Sequence, residues 1–70
     1  DDMLQLVKLL PQSQQDIVRM RFYENLSFKE IAENVNISIN TALGRMRYAI
    51  LNLRKYAEER NLMIDFEKIM

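Results

Sequence analysis

One stretch of this chain constrains its fold more than any other: SFKEIAENVNISINTALGRMRYA, residues 27–49. Ser27 and Glu30 have the spacing of a capping box, in which each side chain accepts a hydrogen bond from the other residue's backbone N–H. Ile31 and Val35 follow four residues apart, which places them on one face of a helix. The pattern predicts a short helix that begins at Ser27.

A tight turn at residues 35–37 is predicted next. Asn36 suits this turn because Asn tolerates the left-handed backbone conformation better than other non-glycine residues. Ser38 then has the chemistry of an N-cap. Since no Pro and only one Gly occur from Ile39 to about Arg60, the simplest interpretation is one long second helix.

The long helix has two different faces. Residues at spacings of three and four predict a buried stripe: Ala42, Met46, Ala49, Leu53 and Tyr56 or Ala57. Every charged residue between Asn36 and Ala57 is basic: Arg45, Arg47, Arg54 and Lys55. A helix with this bias suits a groove lined by phosphates, so the pattern indicates nucleic-acid binding.

The composition limits the classes of protein to which this chain can belong. Its 70 residues allow one small domain. The absence of Cys and His removes disulfides, thiolate metal sites, the commonest general base and the commonest metal ligand. No glycine-rich phosphate loop or convergent carboxylate pair is visible. We therefore predict no cofactor, no metal and no enzyme activity.

The ends of the chain and its charge add further expectations. No apolar run is long enough to cross a bilayer and no signal peptide is visible, so a cytoplasmic location is expected. The chain begins with Asp1 rather than Met, which indicates a piece of a longer protein.

Ten acidic and ten basic residues give a formal net charge of zero. A neutral domain has a weak long-range field, so we expect modest, salt-dependent DNA affinity and a need for tethering to a larger complex.

Two supporting helices are predicted before residue 27. The first begins at Asp2, whose spacing to Gln5 fits a capping box, and it ends before Pro11. The second runs from about Pro11 to Tyr23 and has a predicted buried face: Ile17, Val18, Met20, Phe22 and, at its end, Tyr23.

Two basic residues flank the buried face of the second helix. Arg19 and Arg21 can either form surface ion pairs with Asp16 or Glu24, or contact backbone phosphates. The sequence favours a phosphate contact more for Arg21 than for Arg19, and it leaves both interpretations open.

The C-terminal segment, residues 61–70, is predicted to be a tail on a domain that spans residues 1–60. Asn61 can end the long helix in a left-handed cap. The segment is rich in apolar residues: Leu62, Met63, Ile64, Phe66, Ile69 and Met70. They either fold back onto the core or contact a partner, and packing within the chain or in a crystal contact is the favoured interpretation.

Taken together, residues 10–54 resemble region 4 of bacterial sigma factors, in particular the extracytoplasmic-function type of the sigma-70 family. The resemblance is carried by several short motifs: Leu10-Pro11, Met20-Arg21-Phe22-Tyr23, Leu26-Ser27-Phe28, Glu30-Ile31-Ala32, Ile37-Ser38, Thr41, Arg45 and Ala49. It implies an all-α, four-helix helix-turn-helix domain without a wing. It also implies binding to the −35 element of double-stranded promoter DNA, docking on the β flap of RNA polymerase, and capture by an anti-sigma factor.

The resemblance assigns candidate DNA-binding residues to the second helix of the motif: Asn40, Thr41, Leu43, Gly44, Arg45, Arg47 and Tyr48. Leu43, Gly44, Arg47 and Tyr48 match positions that face base edges, whereas Thr41 and Arg45 match positions near the phosphates. Further candidates for phosphate contact lie outside this helix: Arg21 and Lys29.

The physical chemistry of these residues supports part of the assignment. A first-turn hydroxyl at Thr41, beside free backbone N–H groups, can hold a phosphate. Arg47 can donate two hydrogen bonds to guanine. Arg45 has an alternative, an ion pair with Glu30 or Glu33.

The chain departs from the family pattern at three of these positions. Family members commonly carry a basic residue at the position of Leu43, Ser at Gly44 and Arg at Tyr48. Losing those donors weakens phosphate and base contacts, so an unusual −35 sequence is expected. Gly44 also costs about 1 kcal/mol relative to Ala inside a helix, and it can allow the backbone to approach DNA closely.

Two alternatives remain open from the sequence. One is the helix-turn-helix of response-regulator output domains, although the His and the later Lys-Leu pair typical of that class are missing. The other is a helical module that binds polymerase or an anti-sigma factor without touching DNA, which the zero net charge and the apolar Leu43 favour.

Overall fold

The computed structural model describes residues 1–69, which contain helices and no strand. The helices are α1 (Asp2–Val7), α2 (Gln12–Val18), which continues as a π-helical segment (Arg19–Tyr23), α3 (Phe28–Val35) and α4 (Ile39–Glu59), and a short 3₁₀ turn follows (Phe66–Ile69). The predicted all-α, four-helix arrangement is confirmed. No helix among these residues combines the length and hydropathy that a membrane span requires.

The local chemistry of the α3–turn–α4 unit is as predicted. Glu30 N–H donates to Ser27 Oγ at 3.0 Å and Ser27 N–H donates to Glu30 Oε1 at 2.9 Å, which completes the capping box. Asn36 adopts φ 58° and ψ 51°, and Ile37 N–H donates to Ala32 O at 3.0 Å. The left-handed residue brings Ile37 N–H back to Ala32 O and redirects the chain into α4.

Helix α4 is the central element of the core. Its 21 residues span about 31 Å at 1.5 Å per residue, close to the longest dimension of the molecule, 35 Å. The predicted stripe is buried, and Ile50 belongs to it as well. Tyr56 is only half-buried, so Ala57 and not Tyr56 completes the stripe. Ala42 and Ala32, both nearly inaccessible, keep side chains small where α3 and α4 pack.

The N-cap of helix α1 lies one residue earlier than predicted. The N-cap is Asp1, whose Oδ1 accepts a hydrogen bond from Leu4 N–H at 2.7 Å. The predicted pairing of Asp2 with Gln5 is therefore wrong. Two consecutive Asp residues offer the same capping chemistry, and the register that buries Met3, Leu6 and Val7 selects Asp1.

The predicted second helix, from about Pro11 to Tyr23, is confirmed in its extent, but only its first part is α-helical. The α-helical part ends at Val18, and residues 19–23 form a π-helical turn in which Glu24 N–H donates to Arg19 O at 3.0 Å. This wider turn changes the direction of the side chains that follow it. Met20 is buried, whereas Phe22 and Tyr23 are 41% and 40% exposed. Their rings contact each other edge to face with centroids 4.8 Å apart.

The C-terminal segment folds back onto the helices. Phe66 and Ile69 retain only 5% and 2% of their accessible surface and belong to the common core. Asn61 has φ 56° and ends α4 in the predicted left-handed conformation. Packing within the chain is thus confirmed for these residues, except that Met63 is fully exposed and Met70 lies outside the described residues.

Candidate nucleic-acid interface

The N-terminal half of α4 presents an exposed face opposite its buried stripe. Asn40, Gly44 and Tyr48 lie four residues apart and so follow one another along this face. Asn40 is exposed and Gly44 is half-buried, and Tyr48 keeps 66% of its surface accessible. Thr41 and Arg47, both exposed, lie on either side of this line. The structure therefore brings these five predicted residues onto one continuous surface.

Leu43 and Arg45 border that surface without lying at its centre. Both are half-buried, because they flank the core-facing residues Ala42 and Met46 on opposite sides of the helix. Each is therefore accessible in part at the edge of the surface. A side chain in this position can reach the wall of a groove when Asn40 and Gly44 face its floor.

The positive charge of this surface is not neutralised by neighbouring acids. Ion pairs among residues 1–69 involve Arg19 and Arg60, and none involves Arg45 or Arg47. The alternative role considered for Arg45, an ion pair with Glu30 or Glu33, is therefore absent from this part of the chain. Both guanidinium groups are available to an external anion.

The first turn of α4 is organised by Ser38. Its Oγ accepts a hydrogen bond from Thr41 N–H at 3.1 Å and donates one to Thr41 Oγ1 at 2.9 Å. This arrangement fixes the Thr41 hydroxyl at the exposed end of the helix. The first N–H groups of an α-helix lack partners within the helix, so the amides near Ile39 add donors to the same surface.

Gly44 is not required by the packing of the domain. A Cβ atom built at this position meets nothing within 4 Å, and the residue has no positive φ. The helix therefore retains an unfavourable residue where neither a turn nor a close contact inside the molecule demands it.

The two remaining candidate residues occupy different environments. Lys29 is exposed in the first turn of α3, beside a helix start that favours anions. Arg21 is half-buried, and its guanidinium donates to Leu26 O at 3.0 Å and to Ile69 O at 3.2 Å. A phosphate contact at either residue stays a prediction.

The start of α3 carries the clearest perturbed carboxylate. The pKa of Glu30 is lowered, first by the hydrogen bond from Ser27 N–H and then by the Ser27 hydroxyl. Both groups favour the charged form of the carboxylate. The shift arises from capping, so Glu30 supports the fold rather than the chemistry of the site.

One residue of this surface, Leu51, was not predicted from the sequence. Leu51 is 57% exposed and extends the exposed face of α4 beyond Tyr48. Its spacing of three residues from Tyr48 indicated that it lies on the exposed face. An apolar residue next in sequence to a buried one is, however, normally assigned to the core. No cluster of acidic side chains suited to a metal ion occurs among residues 1–69.

A comparison with protein families identifies the family to which this fold belongs. The model of sigma-70 region 4 matches residues 6–55, which include α2, α3 and most of α4. The chain belongs to the sigma-70 region 4 family. Members of this family are the promoter-binding domains of sigma factors that recognise the −35 element, and they also contact RNA polymerase. Searches among curated proteins and among solved structures returned no match.

The family assignment identifies α3 and α4 as the helix-turn-helix of a region 4 domain. In motifs of this class, the second helix is the one that enters the major groove. Region 4 is a DNA-binding regulatory domain and not an enzyme family.

Proposed function

We propose that this domain reads the −35 element of its promoters with the N-terminal half of α4, as part of a sigma factor bound to RNA polymerase. The observation that carries the proposal is the exposed line of Asn40, Gly44 and Tyr48, flanked by Arg45 and Arg47, which form no ion pair among residues 1–69. A helix of this kind fits the major groove, where Arg can recognise guanine.

The assigned roles follow from the chemistry of each residue. Arg47 and Tyr48 contact base edges, with the Tyr48 ring packing on a thymine methyl or a sugar. Thr41 and Arg45 bind phosphates, as Lys29 does from α3. Leu43 offers only apolar contact, and Gly44 lets the helix approach the bases closely.

Polymerase tethering is part of the proposal. The net charge of zero gives the isolated domain little electrostatic attraction to DNA. Holding the domain on the β flap raises its effective concentration at the promoter. The extracytoplasmic-function type and capture by an anti-sigma factor are inferred from the sequence resemblance, and the cytoplasmic location expected from the sequence stays a prediction. Sequence upstream of Asp1 that resembles the helices reading the −10 element would support the sigma-factor role.

The decisive experiment is promoter-specific transcription by the full-length sigma factor with core polymerase. We expect Arg47→Ala to weaken promoter recognition by about 1–3 kcal/mol and to relax the preference for one base pair, and Tyr48→Ala to act in the same direction. Arg60→Ala is the control, because Arg60 lies at the far end of α4 and pairs with Glu59.

A second function is favoured by one feature of the same surface. Tyr48 and Leu51 are 66% and 57% exposed, and large exposed apolar residues on one face are typical of protein contacts. The same variants distinguish the two functions. If Arg47→Ala leaves initiation unchanged while Tyr48→Ala and Leu51→Ala weaken binding to polymerase or an anti-sigma factor, the domain is a protein-binding module and the base-reading role is wrong.

A further inference from the structure

Arg21 links the π-helical segment to the nearby start of α3 and to the C-terminal turn, which is distant in sequence. Its Nε donates to Ile69 O at 3.2 Å and its Nη1 donates to Leu26 O at 3.0 Å. Its guanidinium carbon lies 4.8 Å from the centroid of the Phe28 ring. We call this set of contacts, made by Arg21 with Leu26, Phe28 and Ile69, the Arg21 junction.

The π-helical segment determines where Arg21 points. In an uninterrupted α-helix, Arg21 would lie four residues after Ile17 and three after Val18, and so on the buried face of α2. The π turn contains more residues than an α-helical turn and so changes this direction. Arg19, on the same segment, stays in solvent and pairs with Asp16 and Glu24. Only Arg21 is directed toward α3 and the C-terminal turn.

The contacts of the junction surround the start of the helix-turn-helix. Leu26 and Phe28 lie on either side of Ser27, the N-cap of α3. On the opposite side, the 3₁₀ turn is held in the core by Phe66 and Ile69, which are 5% and 2% exposed. A charge-assisted hydrogen bond to each carbonyl therefore links the buried turn to the beginning of α3.

We propose that Arg21 is a positioning residue through which the C-terminal turn sets the orientation of α3 against the recognition helix. Ile31 and Ala32 of α3 pack in the same core as Ala42 and Met46 of α4, so a shift at the start of α3 moves the surface that binds DNA. The part of the inference that concerns DNA rests on the proposed function. The tail is then a component of the helix-turn-helix domain, and Arg21 acts from inside the protein.

The first test measures promoter binding as a function of salt for three variants. The side chain of Lys cannot donate to two separate carbonyl groups while stacking on Phe28, because it lacks the planar fork of Arg. We therefore expect Arg21→Lys and Arg21→Gln each to weaken binding about fivefold with the same salt slope as the unmodified protein. Arg19→Gln, on the same segment, should bind normally.

A phosphate contact at Arg21 would give a different result. Arg21→Gln would lower the slope of log K against log salt by about 0.9, and Arg21→Lys would restore most of the affinity. Either of these outcomes overturns the positioning role. Normal binding by all three variants also overturns it. Circular dichroism of each variant at the assay temperature ensures that only folded protein is compared.

The second test measures coupling without DNA. Thermal unfolding of Arg21→Gln, Ile69→Ala and the double variant forms a double-mutant cycle across the junction. We expect non-additive losses, because Ile69→Ala removes the side chain that anchors the turn and so displaces the Ile69 carbonyl to which Arg21 donates. Additive losses would contradict the junction. If the junction couples in this cycle while Arg47→Ala leaves DNA binding unchanged, the proposed function fails and the junction stands.

Discussion

At the scale of single residues, three asparagines set the direction of the chain. Asn25, Asn36 and Asn61 are the non-glycine residues with positive φ among residues 1–69, at 58°, 58° and 56°. Asn tolerates this conformation because its short polar side chain can hydrogen-bond locally. The role of Asn36 and Asn61 was predictable from their position after a helix, and that of Asn25 was hidden by the π turn before it.

Replacing Gly44 with Ala is expected to change stability and DNA binding in opposite directions. Gly44→Ala should raise the free energy of unfolding by about 1 kcal/mol, because the added methyl group meets nothing within 4 Å. It should weaken promoter binding if the helix backbone approaches DNA here. Chemical denaturation and a DNA titration of the same preparation measure the two effects. Stabilisation with unchanged DNA affinity would show that the glycine has no role in the complex.

At the scale of elements, the capping box makes α3 sensitive to pH. The pKa of Glu30 is lowered from its usual value of 4.5 by the hydrogen bond from Ser27 N–H. A carboxylate whose pKa is lower in the folded state contributes stability above its unfolded pKa, and this contribution is lost as the pH falls through the folded pKa. The start of the helix-turn-helix should therefore weaken in acid.

This pH dependence can be isolated by Glu30→Gln, which keeps the shape of the capping residue and removes its charge. We expect the stability difference between the unmodified protein and this variant to be largest at neutral pH and to shrink as the pH drops below 4.5. Urea denaturation across this range measures it. Glu33→Gln, an exposed change on the same helix, is the control, and a pH-independent difference for Glu30→Gln would argue against the capping contribution.

At the scale of the whole molecule, stability depends on one small core arranged around α4. Leu53 is fully buried, whereas Leu51, two residues away, is 57% exposed. Leu53→Ala should cost about 2–5 kcal/mol, a large fraction of what a domain of 70 residues typically has. Leu51→Ala should change stability by less than about 0.5 kcal/mol.

Thermal unfolding followed by circular dichroism compares these two leucine variants directly. Because both replace Leu with Ala in α4, they have the same effect on helix propensity, and only burial differs between them. Similar losses for both would mean that Leu51 is covered in solution. In that case the exposed face of α4 would end at Tyr48 and the second proposed function would lose its main support.

The ends of α3 and α4 depend on neighbouring residues and can therefore be predicted from the sequence alone. Ser27 with Glu30, Asn36 and Ser38 encode the ends of α3 and α4 through hydrogen bonds within a few residues. The apolar spacing in α4 encodes its buried stripe, so the candidate DNA surface could be located by exclusion. These signals are local, and no packing arrangement is needed to read them.

The π turn, the position of the C-terminal turn and the partners of Arg21 depend on contacts that become visible only in the tertiary structure. The π turn at residues 19–23 has no local sequence signal, and it exposes Phe22 and redirects Arg21. The C-terminal turn is ordered because α4 and the π-helical segment leave apolar surface that Phe66 and Ile69 cover. Whether an arginine meets a phosphate or a carbonyl depends on what the fold places beside it, and for Arg21 the fold placed Leu26 O and Ile69 O there.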